Sequence, residues 1–89
     1  MKVKMMSMVK YITTSKVEID IHNMKREEAK KFLEQYLSAA NGNVKEVTVI
    51  HGYSAGTILQ QMVRRGLKHH RIKHKILSMN PGVTTLELN

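Results

Sequence analysis

An aspartate and two histidines stand at the ends of two candidate strands: Asp20 and His22 close Val17-Glu18-Ile19-Asp20-Ile21-His22, and His51 closes Val47-Thr48-Val49-Ile50-His51. An imidazole titrates close to neutrality and can take or give a proton, and a carboxylate beside it fixes its orientation and favours its cation. That set suits cleavage of a phosphodiester. In RNA the neighbouring 2′-hydroxyl can be the nucleophile, so a base, an acid and positive donors suffice. In DNA a water must attack, and Asp20 with His22 or His51 would then help to hold a divalent cation that activates it. The plainer alternative, that Asp20 and His22 only hydrogen-bond strand ends and His51 only caps a loop, stays open at this level.

Directly after His51 the chain reads Gly52-Tyr53-Ser54-Ala55-Gly56-Thr57-Ile58-Leu59, small residues leading from a strand into a helical pattern. Glycine lets a ligand come close to the backbone, and the first N–H groups of a helix have no carbonyl partner. Gly52, Tyr53, Ser54, Gly56 and Thr57 therefore form a candidate phosphate site. Tyr53 could also stack on a base.

For these groups to meet, the elements must bring both strand ends to one edge. Val17, Ile19 and Ile21 alternate with Glu18, Asp20 and His22, so Asp20 and His22 share a face. A helix follows, with Ala29, Phe32, Leu33, Tyr36, Leu37 and Ala40 at spacings of three and four, Asn23 as its expected N-cap and Asn41-Gly42 as its stop. The second strand, 44–51, must then return by a right-handed crossover and lie parallel to the first, with both carboxyl ends at the edge where ligands of open α/β sheets sit. A second helix is predicted over 57–69, burying Ile58, Leu59, Met62, Val63 and Leu67. Ile72, His74 and Ile76 alternate with Lys73 and Lys75, which predicts a third strand whose lysines share one face. Asn80-Pro81-Gly82 is a turn, and 83–88 alternates as a last, antiparallel strand. The expected fold over 16–89 is α/β (α+β): a two-layer sandwich in the order βαβαββ, with a mixed four-stranded sheet and two helices on one face. Residues 1–15 form a separate segment for which an arm, an edge strand and disorder all remain open.

At 89 residues and 42% apolar content the chain is one small domain with one modest core. It has no cysteine, which excludes a disulfide framework and thiolate zinc sites. No stretch resembles a secretory signal or a membrane span, so the expectation is a cytosolic protein without a membrane partner. The net charge is +8, and Arg64, Arg65, Lys68, Arg71, Lys73 and Lys75 supply six of those charges with no acid between them. So focused a patch points to a polyanion such as DNA, RNA or a ribosomal surface; the bland alternative is a solvated basic face. His69, His70 and His74 sit among these cations and read as surface or nucleic-acid contacts rather than metal ligands.

Ile19-Asp20-Ile21-His22, a helix, Val49-Ile50-His51-Gly52 with its loop, and Gly82-Val83-Thr84-Thr85-Leu86-Glu87-Leu88 together resemble the Smr (small MutS-related) domain family, over about residues 16–89. That family pattern has a Leu-Asp-x-His-Gly element and a His-Gly-x-Gly-x-Gly element, in this order. Here Asn23 stands at the first element's glycine, Ser54 at the second glycine of the loop, and Gln60 where an arginine often follows the leucine. The resemblance implies a sandwich similar to the C-terminal domain of translation initiation factor 3. It also implies a nucleic-acid-binding or nicking endonuclease activity, with Asp20, His22 and His51 as the catalytic candidates. A nuclease-inactive DNA- or RNA-binding module and a ribosome- or protein-interaction adaptor are the alternative functions. The metal requirement and the oligomeric state are not legible.

Overall fold

The period-two pattern at residues 17–21 becomes a strand that buries Val17 and Ile19 and leaves Glu18 and Asp20 at the half-exposed opposite face. The computed structural model describes residues 8–54 and 56–89. Its order is β1 (Val9–Tyr11), β2 (Lys16–Asp20), α1 (Arg26–Ala39), β3 (Glu46–Ile50), α2 (Ile58–Gln61, continued by a π-helical turn Met62–Gly66), β4 (Ile72–Leu77) and β5 (Val83–Leu88). The strands form one mixed sheet in the order β1-β2-β3-β5-β4, in which β2 and β3 run parallel and every other pair runs antiparallel.

One sheet face carries Val17, Ile19, Val47, Val49, Thr84, Leu86 and Leu88, and all of them are buried. Ala29, Phe32, Leu33 and Leu37 of α1, with Met62 and Val63 of α2 and Leu67 beyond it, complete this core. Two layers with one shared core are what amphipathic helices and half-apolar strands require.

The sheet has five strands, not four. Val9 and Tyr11 pair with Ile19 and Val17, so part of the N-terminal segment is an edge strand, while residues 1–7 lie outside the described residues. Tyr11 pairs with buried Val17 and so lies on the helix side of the sheet, yet it is 67% exposed at the end of this short edge strand. The N-cap of α1 is Lys25, not Asn23; its backbone N–H meets Glu28 Oε1 at 3.3 Å, the acidic residue of the first turn reaching back. α2 ends at Gly66 rather than at 69. Leu67 N–H reaches back five residues to Met62 O at 2.6 Å, and the Leu67 backbone is extended, so the last turn widens and the chain leaves the helix there. Ile58, expected in the core, is 65% exposed.

The strand β4 carries a further correction. Ile72 pairs with Leu88 and His74 with Glu87, so Lys73 is an extra residue in a β-bulge. The alternation restarts after it. Lys75 pairs with Leu86 and turns to the helix side, while Lys73 stays exposed, and the two lysines do not share a face.

Candidate functional site

Parallel pairing aligns Asp20 with Ile50, and Ile21 N–H extends the ladder to Ile50 O at 2.9 Å, so the chain leaves β2 and β3 at the same sheet edge. His22 and His51 both line a groove of about 250 Å³ at that edge. Asp20 Oδ1 lies 2.5 Å from His22 Nδ1 and accepts His22 backbone N–H at 3.0 Å. The carboxylate thus holds both the backbone and the ring of the residue two positions on, and fixes the proton on Nδ1. Nε2 is then the ring nitrogen open to a substrate. The side chains of His22 and Asp20 are 50% and 44% exposed, so solutes can reach the pair.

His51 has a different setting. Its residue is 3% exposed. Nδ1 lies 3.0 Å from Gly52 O, and a carbonyl can only accept, so Nδ1 carries the proton. Nε2 lies 2.8 Å from Thr84 Oγ1, which itself accepts Arg64 Nε–H at 2.7 Å. The Thr84 hydroxyl proton therefore points to His51, in a relay of fixed direction from Arg64 through Thr84 and His51 to the Gly52 carbonyl. Burial pushes the His51 pKa below its ordinary value, the Gly52 hydrogen bond opposes that shift, and the Arg64 charge adds to it. The ring is a neutral strut with both nitrogens engaged. Thr84 was not singled out from the sequence. Its signal is a hydroxyl in the buried stripe Thr84, Leu86, Leu88, where an apolar residue would otherwise stand.

The loop after His51 is built on close backbone approach. Gly52 has φ +72°, and a Cβ there would lie 3.5 Å from His22 Cβ. The N–H groups of His51 and Gly52 both donate to Gly82 O at 2.9 Å, and a Cβ on Gly82 would stand 3.2 Å from Gly52 Cα. Gly56, at φ +129°, donates to Tyr53 O at 3.0 Å. The amides of Gly52 and Gly56 are thus already bonded to carbonyls. Tyr53, 51% exposed, and Ser54 line the groove with both glycines. Thr57 is exposed at the helix start, where its Oγ1 accepts Gln61 Nε2–H at 3.0 Å. Gln60 Nε2 donates to Pro81 O at 2.7 Å and ties α2 to the turn before β5.

The basic run divides by what each cation touches. Arg64 Nη2 also donates to Val83 O at 3.0 Å. Arg71 donates to Ala40 O at 2.8 Å, a carbonyl that the end of α1 leaves without an intrahelical partner, and to Val44 O at 3.3 Å, just before β3. Lys75 Nζ meets Leu67 O at 2.5 Å and Arg64 O at 3.4 Å; burial and then the Lys68 charge hold its pKa below the usual lysine range. Arg65, Lys68 and Lys73 are exposed. His69 is stacked on His70 at 4.4 Å between ring centroids, with its nitrogens on Ser38 Oγ and Arg71 N–H; partial burial, then His70 and Arg71, lower its pKa. Among the described residues no three His, Asp or Glu side chains are grouped to hold a metal.

A parallel βαβ pair that presents an Asp-x-His pair beside a His-Gly loop, under a mixed sheet with two helices on one face, defines a small α/β domain with a solvent-open site at its strand ends. Residues 19–84 match the Smr domain, and the chain belongs to that family. It is 37% identical over 81 residues to an endonuclease MutS2 of Staphylococcus epidermidis, a match covering 84% of this chain and 10% of that protein. It is 33% identical over 73 residues to an endonuclease MutS2 of Lactococcus lactis, covering 78% of this chain and 9% of that protein. The chain thus spans about a tenth of the length of these relatives. No solved structure matches the chain.

Proposed function

We propose that this Smr domain binds nucleic acid and cleaves a phosphodiester through acid–base chemistry at His22, with single-stranded RNA as the preferred substrate. The observation that carries the reading is the Asp20–His22 pair: its proton is fixed on Nδ1, which directs Nε2 to the substrate beside the Gly52 loop. His22 takes the proton of the 2′-hydroxyl at Nε2 as the 2′-oxygen bonds to phosphorus, and Asp20 stabilises the imidazolium that results; the P–O5′ bond breaks, the departing 5′-oxygen takes its proton from solvent at this open groove, and a 2′,3′-cyclic phosphate is left. Tyr53 and Ser54 line the seat of the reacting phosphate, and exposed Arg65, Lys68 and Lys73 offer positive charge to other phosphates of the strand. His51 is a positioning residue that holds the Gly52 carbonyl and β5 in register.

RNA is favoured because it carries its own nucleophile. Asp20 and His22 offer two protein donors for a cation, and no third His, Asp or Glu is grouped with them among the described residues. A second reading, a binding module without cleavage, is favoured by one observation: His51 has both ring nitrogens engaged, which leaves a two-histidine scheme one imidazole short.

The test is to incubate the pure protein with labelled single-stranded RNA and with supercoiled plasmid, each with and without chelator. The proposal predicts RNA cleavage that survives the chelator. Binding without cleavage of either substrate would favour the binding module.

A further inference from the structure

The groove at His22 ends at Ile58, and on the other side of Ile58 lies a second groove of about 410 Å³. Two arginines from different helices line it, Arg26 from the first position of α1 and Arg65 from the widened turn of α2. Gly66 permits this arrangement. A Cβ there would stand 3.1 Å from Arg26 Nη2, so the guanidinium lies against bare backbone. Unlike that of Arg64, the Arg65 side chain makes no hydrogen bond to another described residue, and the carboxylate that contacts Arg26 belongs to Glu27, which is itself 73% exposed. Two cations turned into one groove repel each other until an anion sits between them, and paired guanidinium forks match the oxygens of a phosphate.

We propose that Arg26 and Arg65 bind a second backbone phosphate of a nucleic-acid strand, next along from the one seated at His22 and the Gly52 loop. Exposed Ile58 and Tyr53 give the base between the two phosphates an apolar surface to lie on. Glu27 competes for the same guanidinium. The inference rests on the nucleic-acid reading above and extends the strand's path across Ile58 onto the helix layer.

The experiment measures binding of a labelled ten-nucleotide uridine strand at several salt concentrations, with folding of each variant checked by circular dichroism. The Arg26→Gln/Arg65→Gln double variant should bind at least about tenfold more weakly, and its salt slope should fall by about 0.7, the share of one phosphate on a single strand. Glu27→Gln should bind more tightly than wild type, because it frees Arg26. Gly66→Leu keeps both arginines but fills the groove floor, and should bind more weakly. Wild-type affinity and slope in the double variant, or unchanged affinity in both Glu27→Gln and Gly66→Leu, would overturn the second phosphate site while leaving the His22 site standing. A wild-type protein that binds no strand would overturn the nucleic-acid reading and this inference with it.

Discussion

His22 and His51 leave adjacent strands at one sheet edge, and what their nitrogens touch assigns them different work. At His22 a half-exposed carboxylate occupies one nitrogen and leaves the other to the groove. At His51 a carbonyl and a threonine hydroxyl occupy both. Thr84→Val keeps the shape of the side chain but leaves His51 Nε2 and Arg64 Nε without that partner. Loss of the buried hydroxyl should cost about 1–3 kcal/mol in a urea titration. The His51 pKa also gives a pH dependence. Its folded-state value is depressed by burial below the ordinary value of about 6.5. Above that pH the ring is neutral in both states. Below it the unfolded chain takes up a proton that the folded chain does not, so stability falls as the pH drops from about 6.5 toward the folded-state pKa. Urea titrations at a series of pH values should show this acid limb. His51→Gln should make it shallower without abolishing it, because the His69 pKa is lowered as well.

At the scale of elements, the strand–loop–helix junction after β3 depends on backbone conformations that only glycine adopts at ease. Gly52→Ala at φ +72° should cost about 1–2 kcal/mol in a thermal or urea melt. Gly42 has no neighbour within 4 Å of an added Cβ, and Gly42→Ala should leave stability nearly unchanged. Equal losses in the two variants would remove the special status of the loop. The elements that position the site are those the sequence states most plainly. Period-two alternation around Val17 and Val47 and the three-to-four spacing from Ala29 to Leu37 predicted β2, β3 and α1, and the crossover rule made the strand pair parallel. What stayed hidden depended on contacts between distant segments. Lys73 and Lys75 alternate with Ile72, His74 and Ile76 as any strand would, and only pairing with β5 reveals the bulge that separates them. His51 looked equivalent to His22 because nothing within β3 announces Thr84 and Arg64. The cap at Lys25 was missed because its partner, Glu28, acts through the Lys25 backbone and not through an Asn23 side chain.

At the scale of the whole molecule, the open face of the sheet mixes both signs, with Lys10 opposite Glu18 and Lys16 opposite Glu46. Glu18, Glu46 and Glu87 lie on the open face of the sheet, where Glu46 and Glu87 are cross-strand neighbours. Arg65 and Lys68 lie instead on and just beyond α2, and Lys73 on the bulge. The run from 64 to 75 read as one patch, but charge in a sequence does not tell which carbonyls in the fold lack donors, and Arg64, Arg71 and Lys75 are taken up by them. The two halves of the run should therefore separate on mutation. Replacing Arg65, Lys68 and Lys73 by glutamine should weaken RNA binding and lower the salt slope by about 0.7 for each lost phosphate contact, with little change in melting temperature. Arg71→Gln should do the opposite, lowering the melting temperature through the lost carbonyl contacts and leaving the salt slope near that of wild type. The central claim, that His22 is the proton-transfer group of the site, is tested most directly by single-turnover cleavage of labelled single-stranded RNA by wild type and His22→Ala, with binding measured on the same strand. His22→Ala should cleave about 10²-fold or more slowly, with affinity within about twofold of wild type. A His22→Ala protein that cleaves at the wild-type rate would contradict it.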